Sequence, residues 1–286
     1  MQPGMIALVL VAAAAHAVWN TVSKYKRGDT VLFVWAYTCA ATLLCLPIGI
    51  IPVITGAQPL SLWFAAGAIV SAVLHMVYSL ALQSGYDRFD LGVVYPVARG
   101  TGPVLTMLSA ILLLGERPTG MAVLGAVVVV AGIVVVAGNL FRSGESHPLR
   151  GVSWGAATGA AIAGYTLWDS YSVTTLHLSP ITYFTGTFLL QSLILTPRAL
   201  RRRDQIQTAV RTNAWPILTV AVFSPLAYIL VLTAMRTAPV ALVAPLRESS
   251  IVLGSLLAWR LFHEDHLARR IIGAVIVLAG IAAISL

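Results

Sequence analysis

Runs of about 20 apolar residues follow one another along this chain with little between them, and that removes most folds from consideration. Ten such runs occupy 4–23, 31–54, 60–83, 90–114, 119–139, 151–173, 180–198, 214–235, 238–261 and 267–286. A backbone in hydrocarbon must satisfy its own hydrogen bonds, and runs this continuously apolar do so as helices. Charged residues are 10% of the 286, against about 25% in a soluble domain. The expectation is an all-α integral membrane protein with ten transmembrane helices. A net charge of +8 would raise nucleic acid as a partner of a soluble protein. Here the basic residues sit between apolar runs, so the lipid bilayer is the expected partner and nucleic acid is not. Met5 to Ala17 lacks the basic leader of a signal peptide and continues into a polar helical face, so it is read as a mature span. Cys39 and Cys45 share one run and read as packing residues.

The two halves are copies. Gly125–Ile133 matches Gly273–Ile281 at seven of nine positions, 148 residues apart. Pro96 pairs with Pro245, Tyr78 with Tyr228 and Trp19-Asn20 with Trp168-Asp169, at separations of 149, 150 and 149. Each half has five runs, an odd number, so the copies enter the membrane in opposite directions. The expected architecture is two inverted five-helix repeats, residues 1–140 and 151–286, joined by a linker at 141–150. Fourteen of the 18 Lys and Arg lie in the odd-numbered connections. The positive-inside rule puts those connections in the cytoplasm and both termini on the other side. The polar stretch 198–211 reads equally as an amphipathic surface helix or as a solvated loop.

Charge inside the runs points to function. Val93–Pro103 brings two prolines, two glycines and an arginine to bilayer depth, and Val243–Ser250 brings a proline, an arginine and a glutamate. Proline removes a helix hydrogen bond, and a charge at the bilayer centre costs about 2.5–3.5 kcal/mol on insertion scales. Pro96 and Pro245 are therefore expected helix breaks beside a polar path. Arg99 and Arg247 are the leading candidates to bind a solute carboxylate or phosphonate, because a guanidinium grips two oxygens at once. The competing reading is structural: Arg247 with Asp169, or Arg99 with Glu248, as internal salt bridges. Asp169 and Glu248 are the carboxylates inside runs; they would bind an amine or carry a coupling proton. His16 and Asn20 share one helical face, and Tyr165 and Asp169 hold the equivalent face of the second copy. His75, Tyr78, Tyr95 and Tyr228 complete the expected cavity wall.

The pattern of Leu114-Gly115-Glu116 with Gly125 and Gly132, repeated as Phe262-His263-Glu264 with Gly273 and Gly280, resembles the EamA-type transporters of the drug/metabolite transporter superfamily. So do His16-Ala17-Val18-Trp19-Asn20 with Lys24, and Tyr165–Asp169. The resemblance covers essentially the whole chain. It implies movement of small metabolites across a bacterial inner membrane through a cavity lined by helices 1, 3, 4, 6, 8 and 9. Family members often have an uncharged fourth and ninth helix, and many keep their termini inside; this chain departs on both counts.

The expected function is secondary active transport of a small polar metabolite, an amino acid or an organic acid or phosphonate-like solute, by alternating access. The alternative is an intramembrane enzyme acting on a lipid-linked or phosphonate substrate. No motif for a nucleophile, metal or nucleotide supports it, so no catalytic residue, metal or cofactor is expected. His263-Glu264-Asp265-His266 reads as capping charge. Gly151, Gly155 and Gly159 form a small-residue face for close helix packing, which leaves monomer and homodimer both open.

Overall fold

A computed structural model describes residues 2–89, 91–137, 148–253 and 267–285, and every regular element among them is a helix. In chain order these are α1 (Pro3–Ser23), α2 (Thr30–Gly49), α3 (Ile51–Ile54), α4 (Leu62–Arg88), α5 (Leu91–Leu113), α6 (Gly120–Ala137), α7 (Pro148–Thr174), α8 (Pro180–Leu200), α9 (Arg203–Thr212), α10 (Ala214–Met235), α11 (Val240–Arg247) and α12 (Leu267–Ser285). Local chemistry sets the boundaries. Asp29 and Ser61 accept from Leu32 N and Phe64 N to cap α2 and α4, and Pro3 and Pro180 occupy first turns where no donor is lost. Gly28, with φ of 78°, makes the tight turn between α1 and α2.

α1, the pair α2–α3, α4 and α10 are each long and apolar enough to cross a bilayer, and 97–113, 120–135 and 271–284 form shorter apolar helices. The expected ten spans are thus not all evident from length and hydropathy. α5 carries Arg99 and two prolines, α7 is rich in Gly, Ser and Thr, and α8 carries four threonines, Gln191 and Pro197. The ninth run stops as a helix at Arg247, and 254–261 lies outside the described residues.

Helix pairing follows the repeat. α1 packs on α10, and its counterpart α7 packs on α4; α2 packs on α8, and α6 on α12. The last pair touches backbone to backbone. A Cβ at Gly125 would stand 2.7 Å from the Gly280 carbonyl, and one at Gly132 would stand 2.9 Å from the Gly273 carbonyl. Because 125 meets 280 and 132 meets 273, these two helices run antiparallel. Gly155 and Gly159 press α7 onto α5, a Cβ there meeting the carbonyls of Val94 and Ala98 at 2.9 and 3.0 Å. The stretch at 198–211 is largely helical: α9 is polar, amphipathic and without buried residues.

The basic connections gather at one end of the bundle. Lys26 pairs with Asp87 at 3.5 Å, Arg202 pairs with Asp29, and the Asn213 amide bonds both the N–H and the carbonyl of Arg27. Arg88 lies 5.4 Å from the Trp154 ring centre. The linker at 141–150 and the His263–His266 run fall largely or wholly outside the described residues.

Candidate functional site

The two proline-bearing helices behave differently. α5 runs from Leu91 to Leu113 without interruption through Pro96, Gly100, Gly102 and Pro103, so the expected break at Pro96 does not occur. The proline stands near the helix start, where it forfeits one i→i−4 bond, and the helix continues beyond it. α11 does end, two residues past Pro245 rather than at it. Glu248 N donates to the Pro245 carbonyl at 3.1 Å and Ser249 N to the Leu246 carbonyl at 3.1 Å, a tightened turn before the chain resumes a helix at Ser250.

That turn places a buried charge cluster. Within a regular helix, consecutive side chains do not face each other. Here Arg247 Nε and Nη2 reach Oε1 of the next residue, Glu248, at 3.2 and 3.0 Å. Glu248 Oε2 accepts from Arg99 Nη1 at 3.0 Å. Arg99 Nη2 lies 2.6 Å from His16 Nε2. A guanidinium has no lone pair to offer, so His16 Nε2 is the acceptor and the ring is neutral with its proton on Nδ1. Arg99, Arg247 and Glu248 are 1%, 2% and 0% exposed.

A second cluster centres on Asp169, itself 0% exposed. Its Oδ1 accepts from the Tyr183 hydroxyl at 2.6 Å, and its Oδ2 accepts from the Tyr228 hydroxyl at 2.7 Å and His75 Nε2 at 2.8 Å. Tyr165 joins the clusters. Its ring stacks on His75 with centroids 4.1 Å apart, and the Arg247 guanidinium lies 6.0 Å from its centre. Of the two internal salt bridges weighed from sequence, Arg99 with Glu248 forms. Arg247 pairs with Glu248 instead of Asp169. The two guanidinium groups and two carboxylates sum to zero charge, which is how so many ions are tolerated away from water.

Beside both clusters is a cavity of about 60 Å³, lined by His16, Trp19 and Ser23 of α1, Phe33 and Tyr37 of α2, His75, Tyr78 and Gln83 of α4, Tyr165 of α7, Phe184 and Gln191 of α8, and Ser224 and Tyr228 of α10, among others. A space needs roughly 10–15 Å³ to hold one water, so this one takes a few. It runs from the level of His75 and Tyr165 to that of Ser23 and Gln83, toward the basic end. The Tyr78 hydroxyl and the Trp19 indole N–H, both on its wall, have no hydrogen-bond partner among the described residues. At the other end Glu116, in the α5–α6 connection, accepts from Val240 N and Ala241 N at 2.9 Å each, capping α11 from the opposite half. Gln58 there accepts from Ser179 N at 2.6 Å.

Of the residues expected at the site, His16, His75, Tyr78, Tyr165 and Tyr228 line the cavity, while Arg99, Arg247, Glu248 and Asp169 stand behind it. Asn20 is buried but off its wall. The side chains of Tyr95 and Pro96 lie outside the described set. Tyr183, Phe184, Gln191 and Ser224 were not expected. Ser224 is the repeat counterpart of His75, 149 residues on, a signal that could have found it. Tyr183 has no such counterpart, since the equivalent position is Val34.

A solved crystal structure shares this fold with a TM-score of 0.73 over 98% of each chain, at 16% identity, which speaks to the fold alone. No curated protein matches the chain. The sequence pattern of the EamA-like transporter family matches residues 3–138 and again residues 149–286. Two consecutive matches spanning nearly the whole of an apolar, multi-helix chain place this membrane protein in the EamA-like transporter family, within the drug/metabolite transporter superfamily.

Proposed function

We propose that this chain moves a small polar solute across the bacterial inner membrane by alternating access, as a secondary transporter of two inverted five-helix halves spanning 1–140 and 151–286. The observation that carries the reading is a cavity of mixed apolar and polar lining set against two buried ion clusters contributed by both halves. The cavity reaches the basic end of the bundle, while Glu116 and Gln58 draw the far end together, which is the asymmetry of a carrier open to one side. The antiparallel α6–α12 crossing suits inverted halves. The basic end faces the cytoplasm and the N terminus lies across the membrane from it.

The solute is an amino acid, organic acid or phosphonate. Its anionic group takes the place of Glu248 on one of the two guanidinium groups, so the ion cluster is exchanged for cargo rather than left unpaired. The unpartnered Tyr78 hydroxyl and Trp19 N–H supply further donors on the wall.

A thermal-shift screen of purified protein against amino acids, organic acids and phosphonates tests this. Binding to the folded state alone raises stability by about 2.7 kcal/mol at one hundred times the dissociation constant, an easily read melting shift. A flat response across all three classes would reject the solute assignment.

A further inference from the structure

We propose that the coupling proton enters through His75, with Asp169 as the fixed counter-ion, and that neither Glu248 nor Asp169 is the exchanging group. Use of this proton to drive transport rests on the reading above; its binding does not.

The argument is one of access and pairing. Glu248 is fully buried with both oxygens held by guanidinium groups. Protonating it would strand two positive charges. Asp169 is also fully enclosed, and its oxygens already accept from two hydroxyls and one imidazole. His16 borders the cavity, but its Nε2 is engaged by Arg99, and a proton there would set cation against cation. His75 alone combines access with a waiting charge. Its side chain is 10% exposed, against 0% for Asp169, and it lines the cavity.

The carboxylate accepts the Nε2–H of His75, which leaves Nδ1 as the lone pair that a proton can take. The resulting imidazolium stays 2.8 Å from Asp169. The other groups around the ring are Tyr165 of α7, stacked on it, Phe184 of α8 and Tyr228 of α10 at its edges, and Tyr78 one turn along α4. The Arg247 guanidinium lies on the Tyr165 ring, 6.0 Å from its centre, and is paired with Glu248. Uptake adds one positive charge to a centre otherwise summing to zero, and release removes it. The pair therefore has two charge states that the cavity contents can select between.

The test is an NMR titration of protein carrying 15N-labelled histidine, in lipid nanodiscs, across about pH 5 to 8. The His75 resonances are assigned by their loss in His75→Gln. If that variant does not assemble, Tyr165→Leu removes the stacked ring and moves the same signals. His75 is expected to pass from a single Nε2–H form to the doubly protonated ring within this range, while His16 keeps its Nδ1–H form throughout. In Asp169→Asn the doubly protonated ring is expected to give way at a pH lower by about 1–3 units, because the opposite charge beside it is gone. A His75 signal constant across the range, or one indifferent to Asp169→Asn, overturns the proposal. No solute is needed, so the two readings fail separately. A titrating His75 in a protein that binds none of the screened solutes leaves the proton site standing. A constant His75 in a protein that accumulates solute against a pH gradient puts the proton elsewhere.

Discussion

The two buried clusters solve the same problem in opposite ways. Around Glu248, charge is met by charge: two guanidinium groups converge on one carboxylate, and both arginines also meet a neighbouring ring, His16 or Tyr165. Around Asp169, charge is met by neutral donors: two tyrosine hydroxyls and an imidazole. The first leaves one positive charge over, and the second supplies the balancing negative one. An ion-pair cluster can let go only by exchanging one anion for another. A carboxylate held by neutral donors can change its surroundings by a single proton. That difference underlies the proposed assignment of cargo to the guanidinium cluster and of the proton to the carboxylate cluster.

The contrast can be broken most forcefully at Glu248. Glu248→Ala leaves two buried guanidinium groups without their counter-ion, and breaking a buried pair from one side costs about 3–5 kcal/mol. Loss of a monodisperse, cooperatively melting protein in detergent is expected. Wild-type melting would mean the cluster is well hydrated and the contrast false. Arg247→Ala is gentler on the fold, because Arg99 still pairs with Glu248. The variant is expected to assemble but to lose nearly all solute movement in membrane vesicles. Retained transport would make Arg247 a purely structural partner. The smallest effect belongs to Tyr183→Phe, which removes one of three donors to Asp169. A hydrogen bond to a charged group is worth about 1.5–3 kcal/mol, read as a lowered melting temperature with transport preserved.

Much of this was legible in the sequence. The apolar runs foretold the helix positions to within a few residues over most of the chain, because hydrocarbon leaves the backbone so few alternatives. Charge inside the apolar runs picked out Arg99, Arg247, Glu248 and Asp169, and the repeat-related polar faces picked out His16 and Tyr165; all belong to the clusters or their cavity. The partnerships were another matter. Arg247 pairs with its own neighbour, which helical geometry forbids and which only the turn after Pro245 permits. α5 carries a matching proline yet stays continuous, forfeiting one hydrogen bond near its start without ending there. Tyr183 was invisible, being uncharged and without a repeat counterpart. The role of Glu116 was equally hidden, because nothing local reveals that it caps a helix more than a hundred residues away.

The contact of Gly125 with Gly280 and of Gly132 with Gly273 has a mechanical consequence. Where two backbones meet with no side chains between them, Val129, Val277 and Ile284 close in on either side and lock the helices against sliding. The two contacts stand seven residues apart on each helix, so the helices are joined along a seam of about 10 Å rather than at a point. A side chain larger than hydrogen at Gly125, Gly132 or Gly280 would force the two backbones apart along that seam.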